Sequence, residues 1–334
     1  MVRSAMTATP TFTLRPATPA DGEAVARMCA ALSRHLSLPV PLLTPAAFRR
    51  DGFGATPAFR GIVAQSEGAA IGYALHGPDY NTDRILRSVE LLDLYVEPDW
   101  RRHGVGRALM SAVAKAGQAH GARMMAWAVR SGNTVARSFY ARYGREDAAV
   151  LLVRLDGEAL WKLAAEPVTI FSIRQAEPAD ADGLATMLTA LLLAIGETVP
   201  TGDLGERLTG DGFAHDPAFT ALLAEHRGET SGYSLFWPHY DTETAMRGLL
   251  LSDLYVAAQA RRAGLGRALM AATSREARRR DADYLFWAVL RDNTPARAFY
   301  GALGAVEQKE RFYCYCEDER FEALAAGNPP RRPN

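Results

Sequence analysis

Two constellations in the first half of the chain carry residue types able to do chemistry. Residues 101–107 read Arg-Arg-His-Gly-Val-Gly-Arg and follow an apolar run, Leu91, Leu92, Leu94, Tyr95 and Val96, that holds one carboxylate, Asp93. A strand that passes through a basic, glycine-containing turn into a helix is suited to phosphate. The first N–H groups of a helix lack intrahelical partners, and the helix dipole adds positive potential there. The second constellation, Asn133-Thr134-Val135-Ala136-Arg137-Ser138-Phe139-Tyr140, sets a good N-cap before a helix with Ala136, Phe139 and Tyr140 on one side. Taken alone, its phenol reads as an amphipathic core aromatic whose hydroxyl finds water.

Both constellations occur twice. Residues 251–270 repeat 91–110 with 13 of 20 positions identical, and Asp253 minus Asp93 gives an offset of 160. Asn293, Phe299 and Tyr300 answer Asn133, Phe139 and Tyr140 at the same offset, as do Asp211-Gly212-Phe213 and Asp51-Gly52-Phe53. This is a duplicated unit of roughly 160 residues rather than a solenoid, whose repeat is about 20–50. The spacing predicts units at 11–165 and 168–327, with a joint within 164–169.

Within each unit the pattern predicts the elements that hold these residues. In the first, a strand at 12–15 precedes a helix to about residue 36 with Val25, Met28, Cys29, Leu32 and Leu36 on one face. A short helix follows Thr44 and Pro45. Residues 59–65 and 70–76 form a hairpin, and a polar loop at 77–87 leads to the Asp93 strand. Its helix ends near Gly121; then come a strand at 124–129, a helix at 133–143 closed by Gly144, a last strand at 148–155 and a terminal helix. In the second unit a strand at 169–174 restarts the order.

The chain has 334 residues with 38 basic and 38 acidic side chains, so no net charge points to nucleic acid or to a membrane surface. Cys29, Cys314 and Cys316 make neither a metal-ligand pattern nor a disulfide framework, and His35, His76 and His103 lack ligand spacing. No metal is expected. Residues 1–10 do not read as a leader, residues 328–334 read as a frayed tail, and the apolar helix around 187–195 reads as too short to span a bilayer. The expected setting is cytoplasmic.

A strand ending in Val, an RxxGxG turn opening a helix, a further strand and Asn-x-x-Ala-x-x-Phe-Tyr together resemble the GNAT superfamily of N-acetyltransferases. The segments around Tyr80 with Leu92-Asp93-Leu94-Tyr95-Val96, and Tyr240 with Ser252-Asp253-Leu254-Tyr255-Val256, resemble its diamine acetyltransferase branch. The resemblance implies an α/β (α+β) fold of two tandem domains, each a mixed, mostly antiparallel sheet with splayed middle strands, flanked by helices. It implies acetyl-CoA as cosubstrate, pyrophosphate on the N–H groups of Arg102, His103, Gly104, Val105, Gly106 and Arg107, and pantetheine beside Tyr95 and Val96. Arg101 adds charge, and Asn133 stands with this set. Val256, Arg261, Arg262, Gly264, Gly266 and Asn293 are the second half's equivalents.

By position, Tyr140 and Tyr300 resemble the residue that protonates the leaving CoA thiolate. The family's usual carboxylate before the strand Asp is replaced by Leu92 and Ser252. Asp93, which strand alternation sets on the opposite face from Leu92, and Glu97 are the remaining candidates. Asp93 either holds an ammonium group or caps backbone N–H groups; Glu97 either serves as a base or is a solvated strand-end carboxylate. Tyr80 is expected to line the first-half cleft. In tandem members one half commonly does the chemistry, and the first half, closer to the family wording, is the expected catalyst. The implied partner is a small-molecule amine, diamine or polyamine; a homo-oligomer is compatible with this. Rival readings are a protein or aminoglycoside acetyltransferase and a non-catalytic acyl-CoA-binding scaffold.

Overall fold

The computed structural model describes residues 11–39, 42–167, 171–226 and 228–328. The readings of residues 1–10, of 168–170 within the joint and the restarting strand, and of the tail from 329 lie outside these.

The first half runs β1 (Thr13–Pro16), α1 (Gly22–His35), α2 (Pro45–Phe53), β2 (Arg60–Ser66), β3 (Ala69–Asn81), β4 (Leu86–Val96), α3 (Val105–Gln118), β5 (Met124–Arg130), α4 (Thr134–Tyr140), β6 (Arg145–Asp147), β7 (Val150–Asp156) and α5 (Gly157–Ala164). The second half follows the same order: β8 (Ser172–Gln175), α6 (Ala181–Ile195), α7 (Leu204–Gly212), β9 (Thr220–His226), β10 (Glu229–Asp241), β11 (Met246–Val256), α8 (Leu265–Arg279), β12 (Tyr284–Leu290), α9 (Thr294–Ala302), β13 (Val306–Glu307), β14 (Arg311–Glu317) and α10 (Asp318–Ala325). Local signals act as read: Thr44 accepts the Ala47 N–H at 3.1 Å to cap α2, and α3 buries Val105, Leu109, Met110 and Val113 along one stripe.

Two seven-stranded sheets form, β1-β2-β3-β4-β5-β14-β6 and β13-β7-β12-β11-β10-β9-β8. Each is mixed, with one parallel pair, β4 with β5 and β11 with β12. The sheets do not follow the contiguous units 11–165 and 168–327. The last strand of each half pairs in the sheet of the other: β14 against β5, with Cys314 opposite Trp127, and β7 against β12, with Val153 opposite Trp287. The following helices cross over too. Leu155, Leu160 and Leu163 join the core around Leu269 and Leu285, while Cys316, Phe321 and Leu324 join the one around Met110 and Met125. Gly144, read as a helix stop, lies where β14 passes: a side chain there would overlap the Tyr315 carbonyl and the Trp127 ring. Repeat spacing is identical whether the last strand stays home or crosses, so the exchange was not visible in the sequence.

Two other expectations change. Residues 77–87 are mostly strand, with only 82–85 between β3 and β4. The reason is tertiary: Tyr80 is 2% exposed and packs on Phe219 and Trp237 of the second half, and it donates to Asp211 at 3.1 Å. Its duplicate, Tyr240, donates to Asp51 at 2.9 Å, and Arg87 and Arg247 complete the two clusters. The apolar helix also differs. With its preceding turn it spans 18 residues, Pro178–Ile195, long and apolar enough to cross a membrane by length and composition. Here Leu184, Leu188 and Leu192 are buried beneath Leu223, Tyr233 and Trp237.

Leu155 is fully buried in the exchanged strand. Leu155→Ala is expected to cost about 2–5 kcal/mol by denaturant titration. The loss of hydrogen-exchange protection should appear first in β12, although residue 155 belongs to the other half; loss first in β5 would contradict the exchange.

Candidate active site

The site starts from the point where two parallel strands part. Pairing of β4 with β5 runs from Ser88–Met124 to Leu91–Trp127 and stops. On its other side β4 has a bulge at that point: Leu75 faces Asp93 and His76 faces Leu91, leaving Leu92 as the extra residue. A bulge bends its strand and increases local twist, which carries Leu92–Val96 away from β5. It also breaks alternation. Leu92 packs toward the core that contains Tyr73 and Cys29, and Asp93 accepts from Tyr73 at 2.6 Å with the Cys29 thiol at 3.8 Å. The expectation that these two residues face opposite ways is therefore corrected.

The splay opens a cleft lined by Asp93, Asn133 and Tyr140. Burial raises the Asp93 carboxyl to about 6; the Tyr73 hydrogen bond opposes this and the charge of Glu243 adds to it. Tyr140 lies against Trp127, ring centroids 5.3 Å apart, and its hydroxyl has no hydrogen-bond partner among the described residues. Burial, then the nearby Asp93 charge, raises its pKa. Asn133 caps α4 by accepting from Ala136 N–H at 3.1 Å. Glu97 is not in the cleft: it pairs with Arg27 at 2.5 Å and accepts from Tyr95 at 3.1 Å. It stands directly after β4 with 22% of its side chain exposed, at the strand end and paired rather than free.

The basic turn lies at the open end of β4. Arg102 and Gly104 have positive φ, +65° and +85°, and none of the N–H groups of 102–107 meets an acceptor among the described residues. Orphan donors converging on a helix start fit a pyrophosphate. Arg102, His103 and Arg107 are exposed around it and Val105 is buried behind it. Gly106 approaches Phe139 and Val96, where a Cβ would lie 3.4 and 3.7 Å away. The Nε of Arg101 donates to the Val96 carbonyl at 3.0 Å and its guanidinium lies over Tyr95, so this charge is held at the strand end beside the turn.

The second half reproduces the turn, with Arg262 at +64°, Gly264 at +92° and Arg261 bonded to Val256 O at 3.0 Å. Asn293 caps α9, and Tyr300 lies 4.8 Å from Trp287. Its carboxylate is closed off, however. Thr82, from the first half's β3–β4 loop, donates to Asp253 at 2.8 Å and meets Ser252 at 2.7 Å, while Tyr233 donates at 3.0 Å.

Sequence reasoning missed the residues that cross between halves. Tyr240, Thr242 and Glu243 of the β10–β11 segment and Arg311 of β14 line the first-half cleft, and Tyr80 lies in the other half's core instead. His239 joins Glu90 at 3.2 Å and Tyr284 at 2.6 Å on the same wall. The signal available was the repeat itself: each half's Tyr and loop, at offset 160, serve the opposite half.

A model of the Acetyltransferase (GNAT) family matches residues 28–144 and 185–305. The chain belongs to the GNAT family. Thialysine N-epsilon-acetyltransferase from Bos taurus is 32% identical over 130 residues, covering 35% of this chain and 76% of that protein. L-ornithine N5-acetyltransferase from Arabidopsis thaliana is 29% identical over 94 residues, covering 28% of this chain and 41% of that one. In fold, a GCN5-related N-acetyltransferase from Sphaerobacter thermophilus aligns at a TM-score of 0.51 and 21% identity over 92% of this chain and 95% of that one. The protein is thus an N-acetyltransferase with two GNAT units, and acetyl-CoA is the cosubstrate of its family.

Gly104 tests the GNAT turn. No neighbour lies within 4 Å of a Cβ there, so Gly104→Val acts through its left-handed backbone and by crowding the orphan donors. Calorimetry should show acetyl-CoA affinity falling at least about tenfold, 1.4 kcal/mol. Unchanged affinity in both Gly104→Val and Gly264→Val would remove the turn from cofactor binding.

Proposed function

We propose that the first half transfers the acetyl group of acetyl-CoA to a primary amine of a small molecule, a diamine or a diamino acid. The observation that carries this is one cleft in which Asp93 and Tyr140 meet at the strand splay beside an unsatisfied phosphate turn. The resemblance to diamine acetyltransferases and the relatives named for thialysine and ornithine support the acceptor class. The capped Asp253 supports the first half as the catalyst: Thr82 and Ser252 occupy the oxygen an ammonium group would use.

In this reading the turn at 102–107 holds the pyrophosphate and the thioester lies in the splay. A primary amine has a pKa near ~10, so about one molecule in a thousand is free base at neutral pH. Ionised Asp93 holds the ammonium form in place. Direct transfer of its proton to a carboxyl near 6 is uphill by roughly four pK units, about 5.5 kcal/mol, so Asp93 binds and orients more than it deprotonates. Water carries the proton out, without Glu97. The free amine attacks the thioester carbon, the C–S bond breaks as Tyr140 passes its proton to the departing sulfur, and the proton shed by the new amide nitrogen restores the phenol. Its raised pKa keeps it protonated at every working pH.

A mass-spectrometric acetylation screen with diamines, diamino acids, an aminoglycoside and a lysine peptide tests the acceptor class. Thiol release on the same panel separates an enzyme from a binder. Tyr140→Phe should lower kcat about 10²–10⁴-fold with acetyl-CoA affinity nearly intact; a loss confined to Tyr300→Phe would reverse the choice of half.

The pH dependence has a definite sign. Below about 6 Asp93 is protonated and its hold on a cation is lost. Activity should therefore rise through that pH and go on rising as the amine loses its proton. Asp93→Asn should abolish the lower limb and raise KM for a cationic amine more than it alters kcat. A lower limb that persists in Asp93→Asn would assign it to another group.

A further inference from the structure

Arg130 ends β5 and Arg311 begins β14, and the two are direct register partners across the exchanged strand pair. Like charges set opposite one another in a sheet repel, so this pair needs an anion between its guanidinium groups. Glu243, from the β10–β11 loop, provides it. Arg130 donates to its two oxygens at 3.2 and 2.6 Å, and Arg311 donates to one at 2.7 Å. All three side chains line the cleft that holds Asp93 and Tyr140. Glu243 keeps about a third of its side chain exposed, 32%, against 22% for each arginine. Asp241 beside it is already engaged by Arg154 and Thr244.

The second half has no such pair. By register, Leu290 and Val150 stand where Arg130 and Arg311 stand in the first, and Asp83 stands where Glu243 does. Some ties between the halves are themselves unduplicated, Arg154 with Asp241 for one, so the place of this cluster is what counts. Among the described residues this one occurs only beside the cleft whose Asp93 is left open.

We propose that Arg130 and Arg311 form the carboxylate-binding end of the acceptor site, and that Glu243 is an internal stand-in which a substrate carboxylate displaces. Two guanidinium groups converging on one carboxylate give directional, charge-assisted recognition. With an anion held there and an ammonium group at Asp93, the preferred acceptor is an amino acid bearing a second, reacting amine, ahead of the corresponding diamine. This rests on the reading of the first-half cleft as the site of acetyl transfer and specifies its substrate.

The test compares L-ornithine with 1,4-diaminobutane, the same chain with and without a carboxylate, in steady-state kinetics and equilibrium binding. In Arg311→Leu the ornithine-to-diamine ratio of kcat/KM should fall about 10–100-fold, mainly through KM, with partial recovery in Arg311→Lys. In Glu243→Gln the ratio should rise, because the arginine pair loses its internal anion. Circular dichroism confirms that each variant is folded. An unchanged ratio, with both amines losing equally in Arg311→Leu, would make the cluster a scaffold tie and overturn the proposal. So would a diamine KM that rises in Glu243→Gln, since Glu243 would then hold the ammonium group itself. If neither amine is turned over by the unaltered enzyme, the transfer reading fails, while the binding ratio still decides the carboxylate site.

Discussion

The rest of the structure depends on the crossing of β7 and β14. Each crossing strand fills the place beside a parallel strand whose other face has begun to splay, and each brings a helix that closes the opposite core. Fully burying a leucine is worth roughly 1.5–3 kcal/mol, and Leu155, Leu160 and Leu163 are all buried in the half to which they do not belong in sequence. The halves are therefore held in one relative placement by their cores. That placement is what lets a loop of one half reach the splay of the other.

Duplication followed by divergence at these crossing loops explains why two similar units have unlike sites. Both keep the bulge, the basic glycine turn, the capping Asn and the Phe–Tyr pair on α4 and α9. They differ in what the opposite half inserts. Thr82 with Ser252 ties up Asp253, whereas Leu92 in place of Ser252 leaves Asp93 facing the cleft with one tyrosine donor. A hydroxyl that satisfies a buried carboxylate stabilises it and removes the same lone pairs from a ligand. Few substitutions separate a closed site from an open one on the same frame.

Much of the local order was legible in the sequence. The caps at Thr44, Asn133 and Asn293, the hairpin of β2 and β3, the turn at 101–107 and the duplicated order of elements all follow from short-range chemistry. What was not legible is long-range. Alternation placed Asp93 and Leu92 on opposite faces, and a bulge, which depends on pairing with β3, undid it. Tyr80 and Tyr240 share a sequence context but lie in the core of the other half. Arg130 and Arg311 have no repeat partner, and only strand register brings them to one carboxylate. Periodicity reports which face a residue takes on its own element; it carries no information on which half that element joins.

The central claim is that acetyl transfer takes place in the first half, in a cleft completed by the second. A crystal structure with a bisubstrate analogue, coenzyme A joined through an acetyl linker to the side-chain amine of ornithine, tests it most directly. The account predicts pyrophosphate on the turn at 102–107, the linker sulfur beside Tyr140, the joined nitrogen toward Asp93 and the ornithine carboxylate on the Arg130–Arg311 pair. The analogue seated instead between Gly264 and Tyr300, with Thr82 displaced from Asp253, would contradict it.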